Sequence, residues 1–366
     1  MNRTPPDGAN CVSDAECHVL VIIVNYRTPE LTTRALKSLV DERSDFSRFD
    51  VTVVDGGSGD DSAEALRIEL SGPTFEGWTN LLALEVNGGF GWANNHAILN
   101  ALCSDTPPKY IYLLNPDATV LRGAIKRLAR VLDSDPRTAA VGSQLIDEGG
   151  APVPSAFRFP SLIGEFLRGA RTGFIERILS WKPLFVDSAA SLLEVDWVTG
   201  ASMMLRSDAL RDAGLFDDGF FLYFEELELM WRFQQAGWVV KHEPLSKVSH
   251  IGGASTGVDR HISGERPAAE PRKPSYWYES RRRYFALTSG YFGPILATVF
   301  WISGHLLWRA RRVVGLTRET TLVDSELSDH VRFAIPSYRS LRRAKTKIDC
   351  ERRSMTYPDW MRADEG

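Results

Sequence analysis

One stretch limits the architecture of this chain more than any other: Tyr110-Ile111-Tyr112-Leu113-Leu114-Asn115-Pro116-Asp117. Five apolar or aromatic residues in a row are too few to cross a bilayer and are rich in β formers, so they predict a buried central strand. Proline has no N–H to give to a sheet and keeps the residue before it out of the helical region. The strand therefore ends at Asn115, and Asn115 and Asp117 are held in a turn at its carboxyl end, where open α/β sheets bind ligands. A carboxylate and an amide placed there offer hard oxygens to Mg²⁺ or Mn²⁺ and, beside the metal, to a diphosphate. A plain Asx turn after a strand is the competing explanation.

The pattern repeats before it. His18 to Val24 is an uninterrupted apolar run of the parallel-sheet kind, and Asn25-Tyr26-Arg27 turns the chain. Pro29 suits a first helical position, and Leu31, Ala35, Leu36 and Leu39 keep helical spacing, so a helix returns over the sheet. Val51 to Val54 predicts a second strand ending at Asp55, before Gly56-Gly57-Ser58-Gly59-Asp60. There a carboxylate can accept hydrogen bonds from a base or ribose, and glycines let the backbone approach a ligand. A third strand, Leu81 to Val86, leads into Asn87-Gly88-Gly89-Phe90-Gly91-Trp92-Ala93-Asn94-Asn95, whose amides at a helix start suit phosphate or sugar. A dinucleotide fingerprint is rejected, because its glycines follow the first strand and its acid comes after them; here Asp55 precedes the glycines.

Beyond Asp117 a helix is expected over Leu121 to Leu132 and a strand over Ala139 to Leu145. Residues 147 to 190, with Pro152, Pro154, Pro160 and Pro183, read as an irregular excursion over the active face. Val195 to Arg206 resumes extended structure. Then Phe216-Asp217-Asp218-Gly219-Phe220-Phe221-Leu222-Tyr223-Phe224-Glu225-Glu226-Leu227-Glu228-Leu229 places three carboxylates in the first turn of a helix starting near Glu225. The helix dipole favours acids there. The dense aromatic lead-in argues for more, because a carboxylate in an apolar pocket is a stronger base than one in water. His250 closes a later strand and opens a glycine-rich loop, so it can reach the same metal as Asp117 through a neutral ring nitrogen.

In this order the motifs resemble family 2 inverting glycosyltransferases with the GT-A fold, in particular the bacterial rhamnosyltransferase-like branch. The residues carrying the likeness are Val24-Asn25-Tyr26, Asp55 with Ser58 and Asp60, Asn87 to Asn95, Leu114-Asn115-Pro116-Asp117, Phe220 to Leu229, and His250 with Ser255. The resemblance implies an α/β fold, a mostly parallel central sheet flanked by helices, with a helical C-terminal extension. It implies that Asn25, Tyr26 and Asp55 hold the nucleoside. Asn87, Gly88, Gly89, Phe90, Trp92, Asn94 and Asn95 would line the sugar diphosphate, and Asn115, Trp197, Gly200 and Glu228 are further candidates for substrate contact. Asp117 would stand for the metal-binding acid of a DxD motif, with His250 as a second ligand of Mg²⁺ or Mn²⁺. Glu226, with Glu225 as the alternative, would be the base. Two departures stand out: Asn115 replaces the first acid of DxD, and Glu226 and Glu228 replace aspartates. The activity implied is sugar transfer with inversion, rhamnose being the branch's commonest sugar, from a nucleotide-diphosphate donor to a glycan or polyprenyl-diphosphate-linked acceptor in surface polysaccharide synthesis. A nucleotide-sugar-binding protein without turnover and a nucleotidyltransferase are the competing classes.

Composition enters for the rest. The chain has 366 residues, 43% hydrophobic and 25% charged, which is ordinary globular material. Its net charge of -4 divides unevenly: residues 271 to 366 carry 18 Lys+Arg against 10 Asp+Glu. A basic C-terminal part suits an anionic surface or a diphosphate and gives no ground for nucleic-acid binding. Cys11, Cys17, Cys103 and Cys350 lack CxxC spacing, and no leader of the secretory kind precedes Val19, so a cytoplasmic location at the inner face of the membrane is expected. The expected organisation is a flexible N-terminus over 1–17, a catalytic domain over 18–257, a mobile connector over 258–275 and a basic helical region over 276–366. Gly290 to Trp308 is apolar enough for an in-plane or re-entrant membrane anchor, with Trp301 and Trp308 near the headgroups. A homo-oligomer is compatible with all of this.

Overall fold

The structure, a computed structural model, describes residues 17–171, 191–252, 272–316, 325–337 and 341. Expectations for the N-terminus before residue 17, Pro183, Ser255, most of the 258–275 connector and nearly all of the tail beyond 337 fall outside these residues.

The four expected strands are β1 (His18–Asn25), β2 (Arg48–Asp55), β3 (Thr79–Ala83) and β4 (Tyr110–Leu114), and they run parallel in the order β3-β2-β1-β4. Their apolar runs are continuous because the sheet is covered on both faces. Val19, Val21 and Ile23 pack with Leu36 and Leu39 of α1 (Pro29–Leu39), Leu66 of α2 (Ser62–Leu70) and Leu128 of α4 (Ala124–Ser134). Leu20 and Ile22, one residue out of phase, pack with Ala97 and Ile98 of α3 (Phe90–Leu102) and Phe233 of a later helix. Alternating residues of one strand thus serve two cores.

Past β4 the strand directions are mixed rather than mostly parallel. A short β5 (Ala118–Val120) follows the Asn115 turn, and β6 (Thr138–Ile146) lies beyond α4. The pair β7 (Ala156–Phe157) and β9 (Trp197–Val198) forms a small separate sheet. β8 (Leu193–Val195), β10 (Ser202–Arg206) and β11 (Val239–His250) complete the large one: β10 is antiparallel to both β4 and β6, while β11 is parallel to β6 and antiparallel to β5 and β8. β11 is one strand, interrupted by a register shift between Glu243 and Lys247.

Two helices, α6 (Ser207–Ala213) and α7 (Glu225–Gln235), cover the second face. α4 starts three residues later than expected, at Ala124, because Gly123 has φ 77° and the Glu42 carboxylate accepts the amide protons of Gly123 and Ile125. A remote acid caps this helix.

The stretch 147–171 is not an irregular excursion over the active face: it holds β7 and α5 (Leu162–Ala170). α5 packs instead on the C-terminal helices α8 (Ser275–Ser289), α9 (Gly293–Val313) and α10 (Glu326–Arg332). Backbones touch where α5 crosses α9: a Cβ on Gly169 would lie 2.1 Å from the Trp301 carbonyl oxygen, and one on Gly304 2.0 Å from that of Phe166. Trp301 and Trp308 are each 1% exposed, so they belong to this interface and do not reach outward as headgroup anchors. Among the described residues no single helix is long and apolar enough to cross a membrane; α8 and α9 pass together but meet at 118°. Cys103 is disulfide-bonded.

Candidate functional site

The carboxyl ends of β1, β2 and β4 meet the start of α3 and the start of α7 around a cavity of about 420 Å³. Each wall has a local cause. At the β1 end, the Asn25 amide donates to Asp55 Oδ1 at 2.8 Å and its carbonyl oxygen accepts from Thr32 Oγ1 at 2.9 Å. Asp55 also accepts from the Ser58 hydroxyl at 2.6 Å and the Ser58 amide at 3.1 Å. This knot is buried beneath the cavity and shapes the loop above it, so Tyr26 and Gly56 form wall while Asn25 and Asp55 hold them there.

The glycine-rich turn works by close approach. Gly89 has φ 91°, and a Cβ on it would lie 1.9 Å from the Phe221 carbonyl oxygen, which also accepts the Phe90 amide at 3.1 Å. Asn87, Gly89, Phe90 and Ala93 face the cavity. The other candidates from this motif do not. Gly88 packs beneath the Trp92 ring, Trp92 sets its ring edge-on to His96 at 4.4 Å, and Asn94 donates to the Phe90 carbonyl. Asn95 exchanges two hydrogen bonds with the Phe216 backbone, at 2.9 and 3.0 Å. A helix turns a residue every 100°, so successive residues of the motif point to different sides.

At the β4 end the turn forms as its proline implies, with the Ala118 amide on the Asn115 carbonyl at 3.1 Å. β11 pairs His250 opposite Ala118, which brings the His250 Nε2 within 3.1 Å of Asp117 Oδ1 and 3.4 Å of the Asn115 amide. All three line the cavity, and Asp117 is 6% exposed. A carboxylate oxygen, an imidazole nitrogen and a side-chain amide converging in a half-open cavity make a donor set that fits a divalent cation whose other ligands come from a bound diphosphate and water. Among the described residues no group of three or more His, Cys, Asp or Glu could hold a metal by itself.

The opposite wall carries the carboxyl pair. Tyr223 and Phe224 both have left-handed backbone, φ 69° and 70°, although neither is glycine. Each such residue costs on the order of 1–3 kcal/mol, and this strain sits immediately before Glu225. Glu225 and Glu226 face the cavity, and each has a buried carboxyl oxygen without a hydrogen-bond partner. Burial in an apolar wall pushes the Glu226 carboxyl up to about 7, with the Gly200 amide among the groups pulling it back. Glu225 is raised as well, first by burial and then by the charge of Glu226 beside it. A carboxyl pushed up to about 7 is a base near neutral pH.

Glu228, the third acid, turns away. It is fully buried in an ion pair with Arg232, 2.9 Å, whose guanidinium also donates to the carbonyls of Ala213, Gly214 and Leu215. It braces α7 against α6 rather than facing substrate. Trp197 likewise stacks on Phe157 at 4.2 Å and donates to the Arg158 carbonyl, away from the cavity; Gly200 does line it. Several wall residues were missed from the sequence, Tyr276 among them. Tyr276, at the start of α8, stands at the cavity rim against Phe221, 5.3 Å, and Tyr223, 6.1 Å. Its signal was the aromatic and arginine cluster Tyr276 to Phe285, read only as a basic region.

Residues 20–180 match the sequence model of Glycosyl transferase family 2. Over those residues the chain is similar to family 2 glycosyltransferases. The chain is 30% identical over 187 residues to the N-acetylglucosaminyl-diphospho-decaprenol L-rhamnosyltransferase of Mycobacterium tuberculosis, covering 49% of this chain and 61% of that protein. It is 26% identical over 165 residues to Rhamnosyltransferase WbbL of Escherichia coli, covering 44% and 60%. The match thus spans about six-tenths of each relative. Among solved structures, a mannosyltransferase from Pyrobaculum calidifontis in complex with GDP-Man and Mn²⁺ aligns with a TM-score of 0.49 and 15% identity, over 88% of this chain and 81% of that one. The domain is rhamnosyltransferase-like in sequence, and its cavity lies at the carboxyl edge of the sheet, where the GT-A expectation puts it.

Proposed function

We propose that the chain transfers a sugar, rhamnose first among the candidates, from a nucleoside-diphosphate donor to a hydroxyl of a lipid-linked glycan acceptor by single displacement with inversion. One observation carries this reading: the carboxyl groups of Glu225 and Glu226 face an acid and a histidine across one cavity. Asp117 and His250, with Asn115, would hold Mg²⁺ or Mn²⁺, and such a cation supplies charge stabilisation for a leaving diphosphate. Asn87 lines the same cavity and suits a polar group of the donor. Glu226 accepts the proton of the acceptor hydroxyl as its oxygen attacks the anomeric carbon on the face opposite the diphosphate. Burial of Glu226 in the apolar wall raises its proton affinity to near neutrality, which suits a group that takes a hydroxyl proton.

The acceptor side also points to a surface. Phe292, Leu296, Val299, Leu306 and Leu307 are exposed along one face of α9, opposite Trp301 and Trp308, with Arg309 and Arg312 exposed near its end. We infer that this face lies in the plane of an anionic cytoplasmic membrane surface, next to the polyprenyl acceptor. The related M. tuberculosis enzyme is named for a decaprenol-linked acceptor.

The deciding experiment measures melting temperature against a panel of nucleotide sugars, dTDP-rhamnose included, with and without Mg²⁺ or Mn²⁺, followed by transfer to a polyprenyl-diphosphate-linked acceptor. A metal-dependent shift with one donor, and transfer lost in Glu226→Gln, is the expected result. Donor binding without transfer by the native chain would establish the binding-protein alternative instead, and release of diphosphate from a nucleoside triphosphate the nucleotidyltransferase.

A further inference from the structure

The loop from Asp217 to Phe224 ends in two strained residues: the αL positions are a tyrosine and a phenylalanine, both poor there. What holds the loop comes from α8, more than fifty residues later. The Arg283 guanidinium donates to both oxygens of Asp217, at 2.7 and 2.9 Å, and both residues are buried. The same carboxylate accepts the Gly219 amide at 2.9 Å. Gly219 wraps the guanidinium so closely that a Cβ on it would fall 2.2 Å from Arg283 Cζ, and the Phe220 ring lies 5.3 Å from the same group. Further along, the Ser280 hydroxyl donates to the Leu222 carbonyl at 2.9 Å. The loop's next backbone contact is the Phe221 carbonyl on the Phe90 amide, at the tip of the glycine turn. Neither Arg283 nor Ser280 lines the cavity.

We propose that Arg283 and Ser280 are positioning residues that fasten the 217–224 loop in the backbone shape that aims Glu226 into the cavity. The inference rests on the reading of Glu226 as the base. The physical logic is over-determination: a strained backbone persists only where its surroundings fix it, and here a buried ion pair, one guanidinium nitrogen on both carboxylate oxygens, and one hydroxyl fix the loop from behind. Loosening them lets Tyr223 and Phe224 relax, which swings the start of α7 and changes both where the carboxyl pair points and how dry it is. Arg283 and Ser280 thus act on catalysis without touching substrate.

The test uses the full chain with dTDP-rhamnose as donor and Mn²⁺ as metal, and compares native protein with Ser280→Ala, Arg283→Lys, Arg283→Gln and Glu226→Gln. The measurements are kcat and donor KM from pH 5.5 to 9, with melting temperature beside them. Arg283→Gln should lower kcat by about tenfold or more with donor KM within about threefold, and should move the midpoint of the kcat profile, because an interaction felt only at the reacting centre appears in kcat. Arg283→Lys, which keeps the charge but not the planar group that Gly219 and Phe220 enclose, should recover part of the loss. Ser280→Ala deletes a single hydroxyl and folds even if the Arg283 variants do not; about a threefold loss of kcat with a moved midpoint is expected of it. Lower melting temperatures with native kcat and native pH midpoint would reduce these residues to packing and overturn the inference, while Glu226→Gln remained inactive. Retained turnover in Glu226→Gln would instead overturn the base assignment beneath it.

Discussion

The two sides of the cavity are built on opposite terms. On the side of β1, β2 and β4, polar groups are satisfied by near neighbours: Asp55 takes three hydrogen bonds from Asn25 and Ser58, and the 87–89 turn closes on itself through Asn87. On the side of the 217–228 segment, two carboxyl oxygens lack partners, two residues carry strained backbone, and the fastening comes from distant helices. The first side resembles a mould for a ligand whose charge is constant. The second stores free energy in a group that must change protonation, and departures from local consistency of this kind gather where chemistry happens.

Substitutions can break that contrast. The largest effect expected is on turnover in Glu226→Gln, a loss of about 10²–10⁴-fold in kcat with nucleotide affinity within a few-fold; a smaller loss would return the base role to Glu225. In the native enzyme, kcat should rise with pH to a plateau above about 7, falling about tenfold per unit below it, since burial holds the Glu226 proton to that point. A profile flat from pH 5.5 to 9 would contradict a buried base. Asp117→Ala should weaken metal-dependent nucleotide binding about tenfold or more while leaving metal-free binding unchanged, read by titration with and without Mn²⁺.

Stability should separate the two sides by sign. Asp55→Ala strands Asn25 and Ser58 donors in a buried site and should cost about 1–3 kcal/mol in denaturant unfolding at any pH near neutral. Glu226→Gln should do the reverse. Its native carboxyl binds a proton more tightly than the unfolded chain, so ionisation opposes folding once pH passes the ordinary value of 4.5, and does so fully above about 7. The variant should therefore unfold like native protein at pH 4.5 and be more stable at pH 8, by up to about 3 kcal/mol. The smallest effect concerns the outer face of α9. Leu306→Glu should reduce flotation with anionic vesicles and leave turnover on a soluble acceptor unchanged, and equal flotation would remove the membrane role from that face.

Much of the first side was legible in residue order, because its causes are local. A β-rich run that meets Asn-Pro stops there, and the strands ending at Asn25, Asp55 and Asn115 came out within a residue of expectation. Which side of α3 faces substrate was not legible: Trp92, Asn94 and Asn95 sit in the motif but pack inward, since helix rotation depends on what the other elements bury. Glu228 misled in the same way, because its neighbour four residues on, Arg232, reads as surface charge until α6 covers it.

The amino-acid order by itself therefore determined the alternating elements of the sheet, the acidic turn, the placing of Asp117 at a strand end and the likeness to a glycosyltransferase family, all features set by a few neighbouring side chains and backbone sterics. Only the tertiary structure decided that Asp117 and His250 meet, that Glu225 and Glu226 share one buried cavity while Glu228 does not, that Trp301 and Trp308 are interior, and that α8 grips the loop before the carboxyl pair. Those outcomes depend on burial and on contacts between residues far apart in the chain, and both arise when the elements pack.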